Sequence, residues 1–193
     1  MTTALDEVIT IIGKATLLWN RAEYHFERII WSYTDAADRI GELITSSMGN
    51  VSKGKLLLRL VEKIETDEKI VDRLQHLVRC YDICRENRNI MIHGIIHDDP
   101  ASSETMLLKG KTFGGFSVYE DAVSQLREAA EQIASIYDFC LAMDNYVWRP
   151  YQLNRFGEAL PPLPLPEKPP LPRKLDPSQP EEAQPIFPHP LEP

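Results

Sequence analysis

The sequence has no long hydrophobic run, no basic leader, no even set of cysteines and no excess of positive charge, and each absence removes a class of protein. Its most apolar stretches, such as Ile9 to Ile12 and Leu56 to Leu58, fall far short of the roughly 20 residues that span a bilayer. Asp6 and Glu7 stand where a secretory signal would need basic residues, so the expectation is a cytoplasmic protein without membrane contact. Cys80, Cys84 and Cys140 are odd in number and read as reduced thiols rather than a disulfide framework. The net charge is −8, and the tail accounts for three of those charges through six carboxylates against three bases, which leaves −5 on residues 1–156. A broad nucleic-acid-binding face is thereby excluded, and any such contact must be local. No glycine-rich phosphate loop, nucleophile elbow or paired-cysteine knuckle is present, so neither a cofactor nor a metal is expected.

Proline is scarce until the end. Residues 1–156 hold only Pro100 and Pro150, whereas 13 of the 15 prolines fall between Pro161 and Pro193. The division implied is a folded unit over 1–156 and a proline-rich tail over 157–193. About 155 residues suffice for one core. Proline has no N–H and disfavours the α region in the residue before it, so the tail is expected to be disordered, with extended polyproline II stretches. Pro169 to Lys174 is the part suited to docking in an aromatic groove; a plain spacer is the simpler reading.

What is present is helical rhythm. Ile9, Ile12, Thr16, Trp19, Glu23, Phe26 and Ile30 recur at steps of three and four and predict a first helix over 3–33. A second is expected over 35–44, followed by a loop over 46–53, and a third over 55–64. The fourth runs from Thr66, as cap, to His93, with Ile70, Leu74, Leu77, Tyr81, Cys84, Arg88 and Met91 inward and Gly94 as a left-handed stop. His97 to Pro100 reads as a turn, and 105–109 with 113–119 as a β-hairpin. Ser117 to Glu120 has capping-box form and opens a fifth helix reaching Val147. The fold class is all-α, an up-and-down bundle of about five helices with a short hairpin insert.

Two charges interrupt the apolar stripes, Glu23 in the first helix and Arg88 in the fourth. Burying either alone is costly, so the expectation is that these helices face each other and that Glu23 pairs with Arg88. Arg88, Asn89 and His93 also gather a guanidinium, an amide and an imidazole within two helical turns. Those groups suit a phosphodiester: the guanidinium fork holds nonbridging oxygens, the imidazole moves a proton near neutrality and the amide orients. The lysines Lys53, Lys55, Lys109 and Lys111, read as loop residues flanking a cleft, could meet RNA backbone, or are simply solvated. His93 and His97 with Asp98 and Asp99, and His76 with Cys80 and Cys84, have metal-ligand residue types but read as a solvated turn and as buried thiols.

Arg88-Asn89-x-x-x-His93-Gly94 resembles the R-x4–6-H motif of the HEPN superfamily (higher eukaryotes and prokaryotes nucleotide-binding), and Trp19-Asn20-x-x-Glu23 is similar to a recurring feature of small bacterial members. The resemblance covers roughly residues 5–148 and none of the tail. It implies a HEPN-like bundle that forms a homodimer, with two motifs lining one cleft. It also implies a metal-independent endoribonuclease in which His93 moves the proton, Arg88 stabilises the developing charge and Asn89 positions the phosphate. Other members resembling it are silent interaction modules in antiviral defence or toxin–antitoxin systems, which makes a protein partner the alternative to RNA. A scaffold that recruits through its tail is a third expectation.

Overall fold

The structure, a computed structural model, describes residues 4–34, 38–98, 105–110, 116–157 and 161–177. Among these the chain is mostly helical, with α1 (Ala4–Tyr33), α2 (Asp38–Ser46), α3 (Asn50–Ile64), α4 (Glu68–His93) and α5 (Ala122–Phe156). A three-stranded antiparallel sheet, β1 (Ile95–Asp98), β2 (Thr105–Gly110) and β3 (Phe116–Tyr119), lies between α4 and α5 in the chain, with β2 central.

α1 and α5 lie along one another over most of their length, and α4 packs against both. Where α1 meets α4 the contact is aromatic: the Tyr81 ring stacks on Phe26 at 4.2 Å and tilts over Trp19 at 4.6 Å. All three are fully buried with Leu74, Leu77, Cys84, Leu126 and Ile133 around them. The expected facing of the first and fourth helices is therefore present, and rings carry it. A buried polar centre ties α1 to α5. Asp144, 1% exposed, accepts from His25 Nδ1 at 2.8 Å and faces Arg28 Nε at 3.3 Å, while the Arg28 guanidinium lies over the rings of Tyr24 and Trp148.

Several boundaries differ from the sequence reading, each for a local reason. α3 begins at Asn50 with Gly49 at its N-cap, five residues early, because Lys53 and Gly54 face inward and continue the Leu57, Val61 stripe. Asp67, not Thr66, caps α4, its carboxylate accepting the Lys69 N–H at 2.8 Å. The expected turn at His97 begins instead as a strand, with His97 opposite Met106 in the β1–β2 register. Ser117 to Tyr119 belong to β3 and do not cap a helix; the chain turns into α5 at Asp121, at φ 47°, a conformation Asp tolerates better than most residues. α5 runs past Val147 and through Pro150 to Phe156.

Gly94 ends α4 in extended conformation (φ −80°, ψ 153°) and not in the left-handed region. Its need for glycine is spatial. A Cβ there would lie 2.4 Å from Leu107 Cδ1 and 2.8 Å from the Ile90 carbonyl.

The stretch 161–177, expected to be disordered, is an extended strap seated along α4 and α5. Pro172 and Leu175 are buried in it, and its backbone is hydrogen-bonded to both helices. Residues 178–193 lie outside the described residues.

Candidate site at the end of the fourth helix

The last turns of α4 carry the groups the sequence singled out. Arg88 Nη1 donates to Asn89 Oδ1 at 3.2 Å, so the arginine and the amide are brought together. Arg88 Nε is buried with no hydrogen-bond partner among the described residues. His93, the final helical residue, is exposed, so its imidazole is open to a ligand. Arg85, one turn back, is committed to Asp82 and Glu86 at 3.4 and 3.5 Å.

The expected pair between Glu23 and Arg88 does not form. Glu23 Oε1 instead accepts from Lys53 Nζ at 2.7 Å, and the same ammonium lies 2.5 Å from Glu27 Oε1. Because α3 starts early, Lys53 is a helical residue only 5% exposed, and a compact ammonium between two carboxylates satisfies both. Burial alone would lower the Lys53 pKa, but the hydrogen bonds to Glu23 and Glu27 outweigh it and raise the value above 10.5. The network continues through Glu27 Oε2 to the fully buried Thr45 hydroxyl at 3.0 Å, which also accepts from Trp31 Nε1 at 3.2 Å.

This corrects the place of Lys53 among RNA-contacting residues, since its charge is spent inside the bundle. Lys55 is exposed on α3 and Lys109 half-buried on β2; both lie in regular elements and not in loops. Lys111 lies outside the described residues.

His76 is engaged elsewhere too. Its Nε2 donates to the Pro169 carbonyl at 2.8 Å and lies 3.3 Å from Cys80 Sγ, so the nitrogen a metal would need is occupied as a donor. Among the described residues no group of three His, Cys, Asp or Glu is placed to hold a metal ion. All three cysteines are free thiols in the core. Burial pushes Cys80 up to about 11 and Cys84 up to about 12, and raises Cys140 further above its ordinary value.

One residue of this helix escaped the sequence reading. Asn87, 1% exposed, donates through Nδ2 to the Arg173 carbonyl at 2.8 Å and accepts the Leu175 N–H through Oδ1 at 2.9 Å. One amide thus brackets the strap backbone from both sides. The available signal was an Asn one step from Arg88, and it was absorbed into the motif beside it. Comparison with protein-family models, with curated proteins and with solved structures finds no match for this chain.

Proposed function

We propose that this chain is a metal-independent endoribonuclease of HEPN type, acting as a homodimer, with Arg88, Asn89 and His93 as its catalytic residues. The observation that carries the reading is the state of Arg88. With Lys53 neutralising Glu23, the guanidinium has no carboxylate partner among the described residues; it is held by Asn89 and keeps a desolvated Nε–H without an acceptor among them. A buried cationic donor without an acceptor is costly, and a phosphate oxygen supplies one. The exposed imidazole of His93 stands on the same helix end.

In the reaction, a neutral imidazole takes the proton of a ribose 2′-hydroxyl as its oxygen bonds to the adjacent phosphorus. The bond from phosphorus to the 5′-oxygen breaks, and a protonated imidazole returns a proton to that oxygen. Arg88 holds the nonbridging oxygens as charge builds, and Asn89 orients the guanidinium. The products are a 2′,3′-cyclic phosphate and a 5′-hydroxyl. Lys55 and Lys109 are the cations suited to the flanking backbone.

The test is RNA cleavage by the purified full chain in EDTA. The expected result is cleavage to cyclic-phosphate ends that His93→Ala abolishes while the melting temperature stays within a degree or two. A wild-type chain as inert as His93→Ala toward unstructured RNA would sink the reading. A second reading, a catalytically silent HEPN-like interaction module in defence or a toxin–antitoxin system, draws on the peptide seat that the strap fills. It expects no cleavage and a bound protein partner.

A further inference from the structure

The strap is seated with a period of three. Pro166 and Pro169 are half-buried and Pro172 and Leu175 buried, whereas the six residues between Pro166 and Leu175 that are not on this row are all exposed. Three residues per turn is the repeat of a polyproline II helix, so one edge of such a helix lies against the bundle. It runs parallel to α4 and antiparallel to α5: Pro161 meets Arg149, Pro166 meets Arg73, Pro169 meets His76, and Arg173 and Leu175 meet Asn87.

The chemistry of the seat matches the chemistry of proline. A proline-rich chain offers carbonyls and few N–H groups, and the bundle offers mainly donors. Arg73 Nε reaches the Pro166 carbonyl at 3.3 Å, His76 Nε2 that of Pro169 at 2.8 Å and Asn87 Nδ2 that of Arg173 at 2.8 Å. Two of the strap's N–H groups are taken as well, that of Arg173 by Gln132 Oε1 at 3.1 Å and that of Leu175 by Asn87 Oδ1 at 2.9 Å. The outward residues between the prolines are read by acids, Lys168 by Asp72 at 2.9 Å and Lys174 by Glu86 at 2.6 Å. Such exposed pairs are weak and screened by salt, so they select sign more than they hold.

We infer that the groove between α4 and α5 is a recognition site for extended, basic, proline-rich peptides of a partner protein, with proline at every third position and an aliphatic residue closing the row, and that residues 161–177 fill it as a built-in stand-in. The donors and acids all belong to the bundle, whose own charge of −5 complements a basic ligand. They contact backbone carbonyls and a spacing, features that another chain can reproduce. Only residues 157–160 separate the strap from the end of α5. A tether that short gives an effective concentration on the order of millimolar, enough to keep a modest ligand seated and to hold the site closed until a better one competes. The inference stands whether or not the Arg88 cluster cleaves RNA.

The experiment uses the full chain and a fluorescent peptide of residues 161–177, read by anisotropy. The wild type should bind it poorly. Leu175→Asp, which weakens only the tethered copy, should bind it roughly 30-fold more tightly, because the competitor has been released. Adding Asn87→Asp, which removes the donor to the peptide carbonyl, should abolish binding, and a peptide with the prolines re-spaced should not bind. A Leu175→Asp chain of native helical content that ignores the peptide, or that takes the re-spaced peptide equally well, overturns the inference. If that variant does not fold, a protease site placed at 158–160 of the wild type lets the strap be cut in place. Exchange of the cut strap for the labelled peptide supports the site, and a strap that cannot be exchanged overturns it. A concentration-dependent dimer of the wild type that Leu175→Asp lacks would make the occupant a second copy, and that also overturns the assignment to a partner.

Discussion

Lys53, which is buried, and Arg88, which is half-buried, are two cations with opposite consequences. Lys53 neutralises Glu23 and Glu27 at once, so Lys53→Met strands two carboxylates of low exposure against each other. A loss of about 3 kcal/mol is expected, read from denaturant titration. Among the described residues, the guanidinium that Arg88→Ala removes neutralises no carboxylate, and its Nε donor is already unsatisfied. The variant's melting temperature should stay within about two degrees of wild type, whereas a Glu23–Arg88 pair would have made it strongly destabilising. A larger loss from Arg88→Ala than from Lys53→Met would contradict the assignment of Glu23. The pH dependence follows from the raised Lys53 value. A cation whose pKa is higher folded than unfolded contributes fully below its unfolded value and loses that contribution as pH climbs through the folded one. The stability gap between wild type and Lys53→Met should therefore hold steady from neutrality into mild alkali and close only above pH 10.5.

At the scale of elements, the junction of α4 with the sheet positions the candidate site. Gly94 follows His93 directly, and Leu107 of β2 closes over it with its Cδ1 at 2.4 Å from where a Cβ would stand. Gly94→Ala must push Leu107, 1% exposed, off its place or open the last turn at the Ile90 carbonyl. A cost of about 1–3 kcal/mol is expected, with a fall in the proposed RNA cleavage beyond what the loss of folded protein explains, because the turn that displaces is the one bearing His93. Thermal melts paired with cleavage assays separate the two effects. An unchanged melting temperature would show that the packing here is looser than the distances imply. The glycine was legible in the sequence as a helix stop; that its role is close approach and not a left-handed turn depended on β2 crossing above it.

For the whole molecule, the strap makes residues 161–177 part of the fold. Deleting 161–193 uncovers Asn87 and removes the burial of Pro172 and Leu175. We expect a loss on the order of 2 kcal/mol, several degrees in Tm for a domain of this size, measurable by calorimetry. A tail acting only as a recruiting appendage would leave stability untouched. Asn87→Ala in the full chain should reproduce about 1–2 kcal/mol of that loss. Deletion and substitution should not add, since they break the same contact.

The sequence by itself determined the helical class, the inward rows around Trp19, Phe26, Leu74, Leu77, Tyr81 and Ile133, and the grouping of Arg88, Asn89 and His93 on one helix end. These follow from periodicity within single elements, where neighbours in sequence are neighbours in space. Only the tertiary structure decided which charge meets which. The sequence pointed Glu23 to Arg88, and its pairing with Lys53 depended on where α3 began and how α3 leans on α1. The docking of the strap was undecidable for the same reason. The sequence marked Pro169 to Lys174 as an extended stretch suited to a groove, but a polyproline helix makes no hydrogen bonds of its own. Whether it floats or binds is settled by donors such as Asn87, which lie far away in the chain and close by in the fold.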